Sequence, residues 1–240
     1  MRLRTVVKES LPDWLFRAMQ AMRNGGGVSL HKSSLLKILP PDPVILEAGA
    51  CSGEDTVELS KFWSQGEIHA FEPVPALYRS LLGRTKGRKN VYCYPLGLSG
   101  TSGWQQMHIS GGRNENSSSL LAPAEEYFEF HSGITFSHAA TVPTTTLSEW
   151  ARNNDVRKID FMWLDMQGGE LEALASSPEI VRTATAIYSE VWLKRLYQGC
   201  PTYQEFREFM EAQGFVVSLE MFPYQDAGNV LFVRDPTKSL

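Results

Sequence analysis

The sequence predicts an α/β fold in which a doubly wound, mostly parallel sheet ends in an antiparallel hairpin. Short apolar segments at residues 44–48, 68–71, 91–94, 159–164 and 186–191 are separated in several places by amphipathic helical segments. This alternation is typical of parallel βαβ units. A glycine-containing turn follows the first apolar segment, and the last two apolar segments flank a short polar turn. The pattern therefore predicts five parallel strands and a terminal hairpin.

A helix is predicted ahead of the sheet, in residues 10–27. Ser10 is a suitable N-cap, and three consecutive glycines end the apolar periodicity. The basic residues around this helix would suit a membrane surface, whereas a lid or packing helix is the ordinary interpretation. We therefore expect an N-terminal helical extension, residues 1–43, followed by one main domain, residues 44–240.

Within the main domain, helices are predicted at residues 55–63, 75–83 and 170–175. Another helix should begin after the capping box of Thr202 and Glu205 and end at Gly214. The segments "FVVSLEMF" and "NVLFV" lie on either side of "PYQDAG", a turn-rich link. This arrangement predicts that the last two strands pair as an antiparallel hairpin.

The alternation breaks at residues 99–141, which are rich in Gly, Ser, Asn and His. One strand pattern is visible in this stretch, near residues 104–109. Long insertions at the carboxyl end of a sheet commonly carry binding groups. We expect this insertion to lie on the substrate side of the domain.

The composition is that of an ordinary soluble protein, with 42% hydrophobic and 21% charged residues in 240. The net charge of −4 argues against a nucleic-acid partner, because neutralising phosphates needs an excess of Lys and Arg. The cysteines Cys51, Cys93 and Cys200 are scattered without metal-ligand spacing, which favours free thiols in a reducing compartment. Neither a membrane-spanning apolar run nor a secretory signal is visible, so we expect a cytoplasmic protein.

The turn after the first strand carries two glycines, Gly49 and Gly53, in a ring of acidic residues. Glu47 precedes the turn, and Glu54 and Asp55 follow it. A dinucleotide site would need Gly-x-Gly-x-x-Gly, and three carboxylates would repel its pyrophosphate. The missing Cβ atoms suggest close approach of a ligand to the backbone. The charge favours a cation, such as S-adenosylmethionine (SAM).

The second strand ends in Glu72, 19 residues beyond Gly53 (72 − 53). A carboxylate at this strand end can accept hydrogen bonds from both hydroxyls of a ribose. Proteins that bind NAD use the same device. Glu72 alone therefore indicates a nucleoside and leaves a dinucleotide-dependent oxidoreductase open.

Several motifs in order resemble the FkbM family of SAM-dependent methyltransferases. They are "ILEAGACSGEDT", "AFEPVPALYRSL", "NVYCYPLGLS", "IDFMWLDMQGGELEAL" and "YSEVWLKRLYQG". The resemblance runs from about Val44 to Val233 and is specific through the combination of "FEP" with "D-x-Q-G-x-E". It implies a seven-stranded, Rossmann-like class I methyltransferase fold. It also implies methylation of a hydroxyl on a sugar, a glycan or a secondary metabolite, which makes a small molecule or glycan the expected partner.

The resemblance also implies a set of cofactor-binding residues. These are Glu47, Gly49, Ala50, Cys51, Ser52, Gly53, Glu72, Pro73, Leu96 and Gly97. Leu96 and Gly97 are expected near the adenine, although Pro95 stands where the family often has Asn. Trp163 and Gln167 stand where a common family form has Lys and Glu. We interpret this change as tuning, and a catalytically inactive binding protein is the alternative.

A hydroxyl acceptor must lose a proton, which calls for a carboxylate, a histidine or a metal ion. Asp165, at the end of the fourth strand, is the first candidate, and Glu190 reaches the same rim. Two carboxylates on neighbouring strands could instead hold Mg²⁺. The candidate histidines lie in or beside the insertion and are His108, His131 and His138.

Overall fold

A computed structural model describes residues 30–113 and 116–238 of the chain. The predicted helix in residues 10–27 lies outside the described residues, and the proposed boundary at residue 43 stays a prediction. The described chain opens with a 3₁₀ helix, Lys32–Lys37. Among the described residues, no helix combines the length and the apolar character that crossing a membrane requires.

The described residues form ten strands. They are β1 (Val44–Ala48), β2 (Glu67–Phe71), β3 (Val91–Tyr94), β4 (Gly97–Leu98), β5 (Gly103–Gly112), β6 (Ile134–Thr145), β7 (Phe161–Leu164), β8 (Ala186–Trp192), β9 (Phe215–Met221) and β10 (Ala227–Arg234). Seven of them make the main sheet, in the order β3-β2-β1-β7-β8-β10-β9. The first five in that order run parallel, and β10 is antiparallel to both β8 and β9. The predicted fold, including the terminal hairpin, is confirmed.

The described residues also form seven α-helices, several of which cover the two faces of this sheet. They are α1 (Glu54–Phe62), α2 (Pro75–Thr85), α3 (Tyr127–Phe130), α4 (Leu147–Asn153), α5 (Glu170–Ala175), α6 (Pro178–Val181) and α7 (Tyr203–Ala212). Neighbouring strand residues belong to opposite cores, because side chains alternate across a strand. Leu46 packs in a core with Trp150, whereas Ile45 packs with Trp63 in the other. Burial on both faces explains the nearly continuous apolar runs of the central strands.

The insertion and the residues that flank it form a second sheet of three strands, in the order β4-β6-β5. The sequence predicted one strand here, and that prediction was incomplete. β5 is longer than its predicted core, and its antiparallel partner β6 extends from Ile134 to Thr145, beyond the expected end of the insertion. The sequence did not predict β6, because several of its residues are exposed and polar and Pro143 interrupts the usual strand pattern.

The sheet order places the carboxyl ends of β1 and β7 side by side. From β1 the chain builds outward through β2 and β3, then crosses back to β7 on the other side of β1. Such a reversal leaves a crevice above the strand ends, which is where open α/β sheets bind ligands.

Candidate active site

A cavity of about 270 Å³ opens above the carboxyl ends of β1, β2 and β7. Nine of the ten predicted cofactor-binding residues line it, namely Glu47, Gly49, Ala50, Cys51, Ser52, Glu72, Pro73, Leu96 and Gly97. The insertion supplies part of the wall through Met107, Asn116, Ser118 and Leu120. The sequence predicted the stretch 99–141 on the substrate side, but it singled out none of these four residues.

The glycine turn is shaped by close contacts within the protein. Gly49 has φ 81°, and a Cβ there would lie 1.8 Å from the Asp165 carbonyl oxygen. Gly53 has φ 84°, and its Cβ would lie 2.6 Å from Leu81 Cδ1. Both glycines are therefore required where another segment approaches, whereas the sequence attributed them to the approach of a ligand. Gly53 is buried at the start of α1 and is not among the residues that line the cavity.

Glu72 is buried at the cavity wall and fixes the turn. Its two carboxyl oxygens accept hydrogen bonds from the backbone N–H groups of Cys51 and Val74, both at 2.8 Å. Each oxygen has a second lone pair for a further donor. Burial raises the pKa of Glu72 to about 7, although the two backbone donors oppose this shift.

Glu47 is buried at the end of β1, where it accepts a hydrogen bond of 2.5 Å from Thr56 Oγ1. Burial raises its pKa to about 8. The buried Lys32 ammonium lies 4.5 Å from the ring centre of Trp163, the strand neighbour of Glu47, and pairs with Asp55 at 2.5 Å. Lys32, in the 3₁₀ helix before β1, therefore places a positive charge against Asp55 of the cavity wall.

The charged side chains that line the cavity are all acidic. Five carboxyl groups line it, those of Glu47, Glu54, Asp55, Glu72 and Asp165. The described lining contains no Lys, Arg or His. A site with this lining attracts a cationic ligand and disfavours a phosphate.

Asp165 follows β7 directly and is joined to Glu190 on β8 by a side-chain amide. Gln167 Nε2 donates to Asp165 Oδ1 at 2.8 Å and to Glu190 Oε2 at 2.6 Å. Asp165 reaches solvent through the cavity, although protein atoms surround its other sides. Burial raises the pKa of both carboxyl groups, and the proximity of Asp165 adds to the shift at Glu190. The structure therefore brings the two acidic candidates together, with Glu190 behind Asp165.

Glu170 is a residue whose structural role sequence reasoning did not assign. Its carboxyl oxygens accept hydrogen bonds from the backbone N–H groups of Met166 and Gly168, at 2.7 and 3.0 Å. It is buried, and burial raises its pKa to about 7. Glu170 thus holds the turn that carries Asp165 and Gln167.

The histidine candidates lie apart from this pair. His138 is exposed on β6, opposite Ile109, and is not among the residues that line the cavity. His108 pairs with Ser119, and His131 Nε2 lies 2.8 Å from the buried Asp226 carboxylate. Their predicted catalytic role stays a prediction. Within residues 30–113 and 116–238, no group of three or more His, Cys, Asp or Glu is arranged to hold a metal ion.

The sequence profile described as the methyltransferase FkbM domain matches residues 47–217. The chain is 24% identical over 177 residues to the 2-O-methyltransferase NoeI of Sinorhizobium fredii, and the match covers 72% of each protein.

The chain is also similar to two solved structures. A chain of the fibrillarin/Nop5p complex superposes with a TM-score of 0.52 at 15% identity, over 92% of this chain and 83% of that one. An FkbM methyltransferase from Methylobacillus flagellatus gives a TM-score of 0.49 at 9% identity, over 93% and 56%.

Proposed function

Because the chain belongs to the FkbM family of SAM-dependent methyltransferases, we propose that it methylates a hydroxyl oxygen and that the acidic cavity holds both reactants. The observation that carries this proposal is the lining of the cavity. Its described residues include five carboxyl groups and no Lys, Arg or His. The family assignment favours methyl transfer over the oxidoreductase that Glu72 alone leaves open. It also favours an enzyme over an inactive binding protein.

In this proposal the turn and the end of β2 hold the nucleoside. Glu72 accepts hydrogen bonds from the ribose hydroxyls through its remaining lone pairs. Leu96 and Gly97 lie beside the base, and the backbone of Gly49–Ser52 faces the amino-acid end. Glu47 supplies negative charge under the turn. When bound, SAM supplies a methyl group on a cationic sulfur that is a good leaving group.

Asp165 is the proposed proton acceptor, because its carboxyl group lines the cavity at the topological switch point. It takes the proton of the acceptor hydroxyl as the oxygen is methylated. The Gln167 amide nitrogen lies within hydrogen-bond distance of both Asp165 and Glu190. An N–H donor shared by the two carboxyl groups occupies oxygens that Mg²⁺ would need as ligands, so it favours proton transfer over a metal site. Chelation with EDTA should therefore leave turnover unchanged.

The acceptor is proposed to be a small molecule or glycan. The relative from Sinorhizobium fredii is named a 2-O-methyltransferase, which supports a hydroxyl oxygen as the acceptor. Residues of the insertion, including Asn116 and Ser118, provide polar groups on the cavity wall.

The test is calorimetric titration with SAM, followed by transfer of labelled methyl groups to a panel of mono- and oligosaccharides with free hydroxyls. Asp165→Asn should keep the SAM affinity and lower turnover by about 100-fold or more, since general bases contribute on that scale. Asp155→Asn is the matched control, because Asp155 is exposed and its φ of 55° suits Asn. Absence of SAM binding by the wild type would refute the proposal.

A further inference from the structure

Gln167 adopts a left-handed backbone conformation that residues other than glycine rarely take. Its φ is 57°, and it is followed by Gly168 with φ 101°. Backbone strain of this kind clusters at functional sites. The strained residue sends its buried side chain between the carboxyl groups of Asp165 and Glu190.

The orientation of the Gln167 amide is fixed by Tyr197. The hydroxyl of Tyr197, a fully buried residue, has one proton within hydrogen-bond distance of two acceptors, Gln167 Oε1 and the Ser117 carbonyl oxygen, both at 2.9 Å. An amide oxygen that accepts from this hydroxyl leaves both N–H groups of Nε2 for the two carboxylates. Tyr197 and Gln167 therefore specify which atoms face Asp165 and Glu190.

The insertion holds the same turn from its other side. Ser119 Oγ donates to the Gln167 carbonyl oxygen at 2.8 Å. Pro123 forms a backbone bridge to Tyr197. Thus both residues that orient the carboxyl pair are tied to the segment that also lines the cavity.

The pair lies in an acidic surrounding that disfavours two negative charges. Groups that act on Asp165 or Glu190 come from several elements: Glu170 on α5, Asp55 on α1, Asp226 before β10, and the hydroxyls of Tyr188, Tyr127 and Tyr197. The Gln167 amide bridges the two carboxyl groups, since its Nε2 lies 2.8 Å from Asp165 Oδ1 and 2.6 Å from Glu190 Oε2. Adjacent carboxyl groups in such a site share one proton.

We propose that Gln167, oriented by Tyr197, is a positioning residue that holds Asp165 and Glu190 as one proton-sharing pair with Asp165 facing the acceptor. This rests on the proposed function, in which Asp165 receives the proton of the hydroxyl. That proton moves from the acceptor oxygen to an Asp165 oxygen of the ionised pair, which then shares it with Glu190, and the Gln167 N–H groups stay bonded throughout. Asp165 then returns the proton to water through the cavity.

The first test is a pH titration of protein carrying ¹³C-labelled Asp and Glu carboxyl groups, followed by NMR and assigned with Asp165→Asn and Glu190→Gln. It needs no methyl acceptor. In the wild type the pair should bind one proton well above the ordinary carboxyl range. In Gln167→Glu the midpoint should rise by about one pH unit or more, because a third carboxyl group replaces the amide donor.

Tyr197→Phe is the second variant. It keeps the buried ring, so the proposal can still be tested if Gln167→Glu does not fold. It should raise the midpoint in the same direction and lower kcat by about tenfold or more through misplacement of the pair, with an unchanged SAM affinity. The acidic limb of kcat/KM should move to higher pH. Tyr203→Phe is the control, since its hydroxyl bonds Glu220 away from the cavity.

The outcomes separate the two proposals. A wild type that binds no SAM, or an Asp165→Asn enzyme that turns over normally, refutes the proposed function. If Asp165→Asn loses turnover while Gln167→Glu and Tyr197→Phe titrate and react like the wild type, the positioning role is wrong. Independent titration of Asp165 and Glu190 at ordinary values also overturns it.

Discussion

At the scale of single residues, Glu47 and Glu72 place two carboxyl groups of raised pKa, about 8 and about 7, in the wall of a site for a cation. A bound sulfonium favours their ionised form, so binding must release protons near neutral pH. Proton release makes the affinity depend on pH in a known direction.

We expect the SAM affinity to rise between about pH 6 and pH 8, where these carboxyl groups lose their protons. Calorimetry in buffers of different ionisation enthalpy measures the affinity and the released protons together. Glu72→Gln should release fewer protons and bind SAM more weakly by about 1–3 kcal/mol, because a carboxylate acceptor is lost. Glu67→Gln, at the exposed start of the same strand, is the control. An affinity that falls as pH rises over this range would contradict the assignment.

At the scale of elements, the approach of β1 to β7 depends on Gly49. Its missing Cβ admits the Asp165 carbonyl oxygen, which would lie 1.8 Å from a Cβ. Gly87 has nearly the same φ, 82° against 81°, yet nothing lies within 4 Å of its Cβ position. The two glycines therefore separate the effect of steric contact from the effect of backbone conformation.

We expect Gly87→Ala to lower the free energy of unfolding by about 1–2 kcal/mol, the cost of a left-handed conformation. Gly49→Ala should cost clearly more and should also weaken SAM binding, because the ends of β1 and β7 must move apart. Urea denaturation and calorimetry measure the two effects. Equal destabilisation by the two substitutions would show that the close contact has no energetic weight.

The elements that local patterns define could be predicted from the sequence. The central strands are buried on both faces, so their apolar runs mark them directly; β1 and β3 were predicted at their observed residues. The second sheet could not be predicted in the same way. β6 is partly exposed and gains its strand structure from pairing with β5, a contact between segments that the local composition does not reveal.

At the scale of the whole molecule, buried carboxyl groups set the dependence of stability on pH. Glu47, Glu72 and Glu170 have folded-state pKa values raised to about 8, 7 and 7 from an ordinary value of 4.5. Between those limits the folded state holds more protons than the unfolded state. The free energy of unfolding therefore decreases as pH rises through this window.

We expect urea denaturation to show that the protein without ligand loses about 1 kcal/mol or more between pH 5 and pH 8. Glu170→Gln should flatten this slope, because one titrating group is removed. Saturating SAM should offset the loss most strongly at the higher pH. A stability that increases steadily over the same range would contradict the raised pKa values.

The site could be predicted in part at this scale. Motifs next to strand ends identified Glu47, Glu72 and Asp165, since those positions follow from the fold. The bonds from Gln167 to Glu190 and Tyr197 span 23 and 30 residues, and Tyr197 also contacts Ser117. Contacts over such separations depend on tertiary packing, which no local pattern encodes.

The glycine contact between β1 and β7 joins the two halves of the sheet at the point where both reactants are proposed to meet. The nucleoside side belongs to β1 and β2, and the proton-accepting side belongs to β7 and β8. A core substitution that shifts one half against the other would disturb donor and acceptor at once. Evolution of a new acceptor preference should therefore proceed more readily through the second sheet than through the central strands.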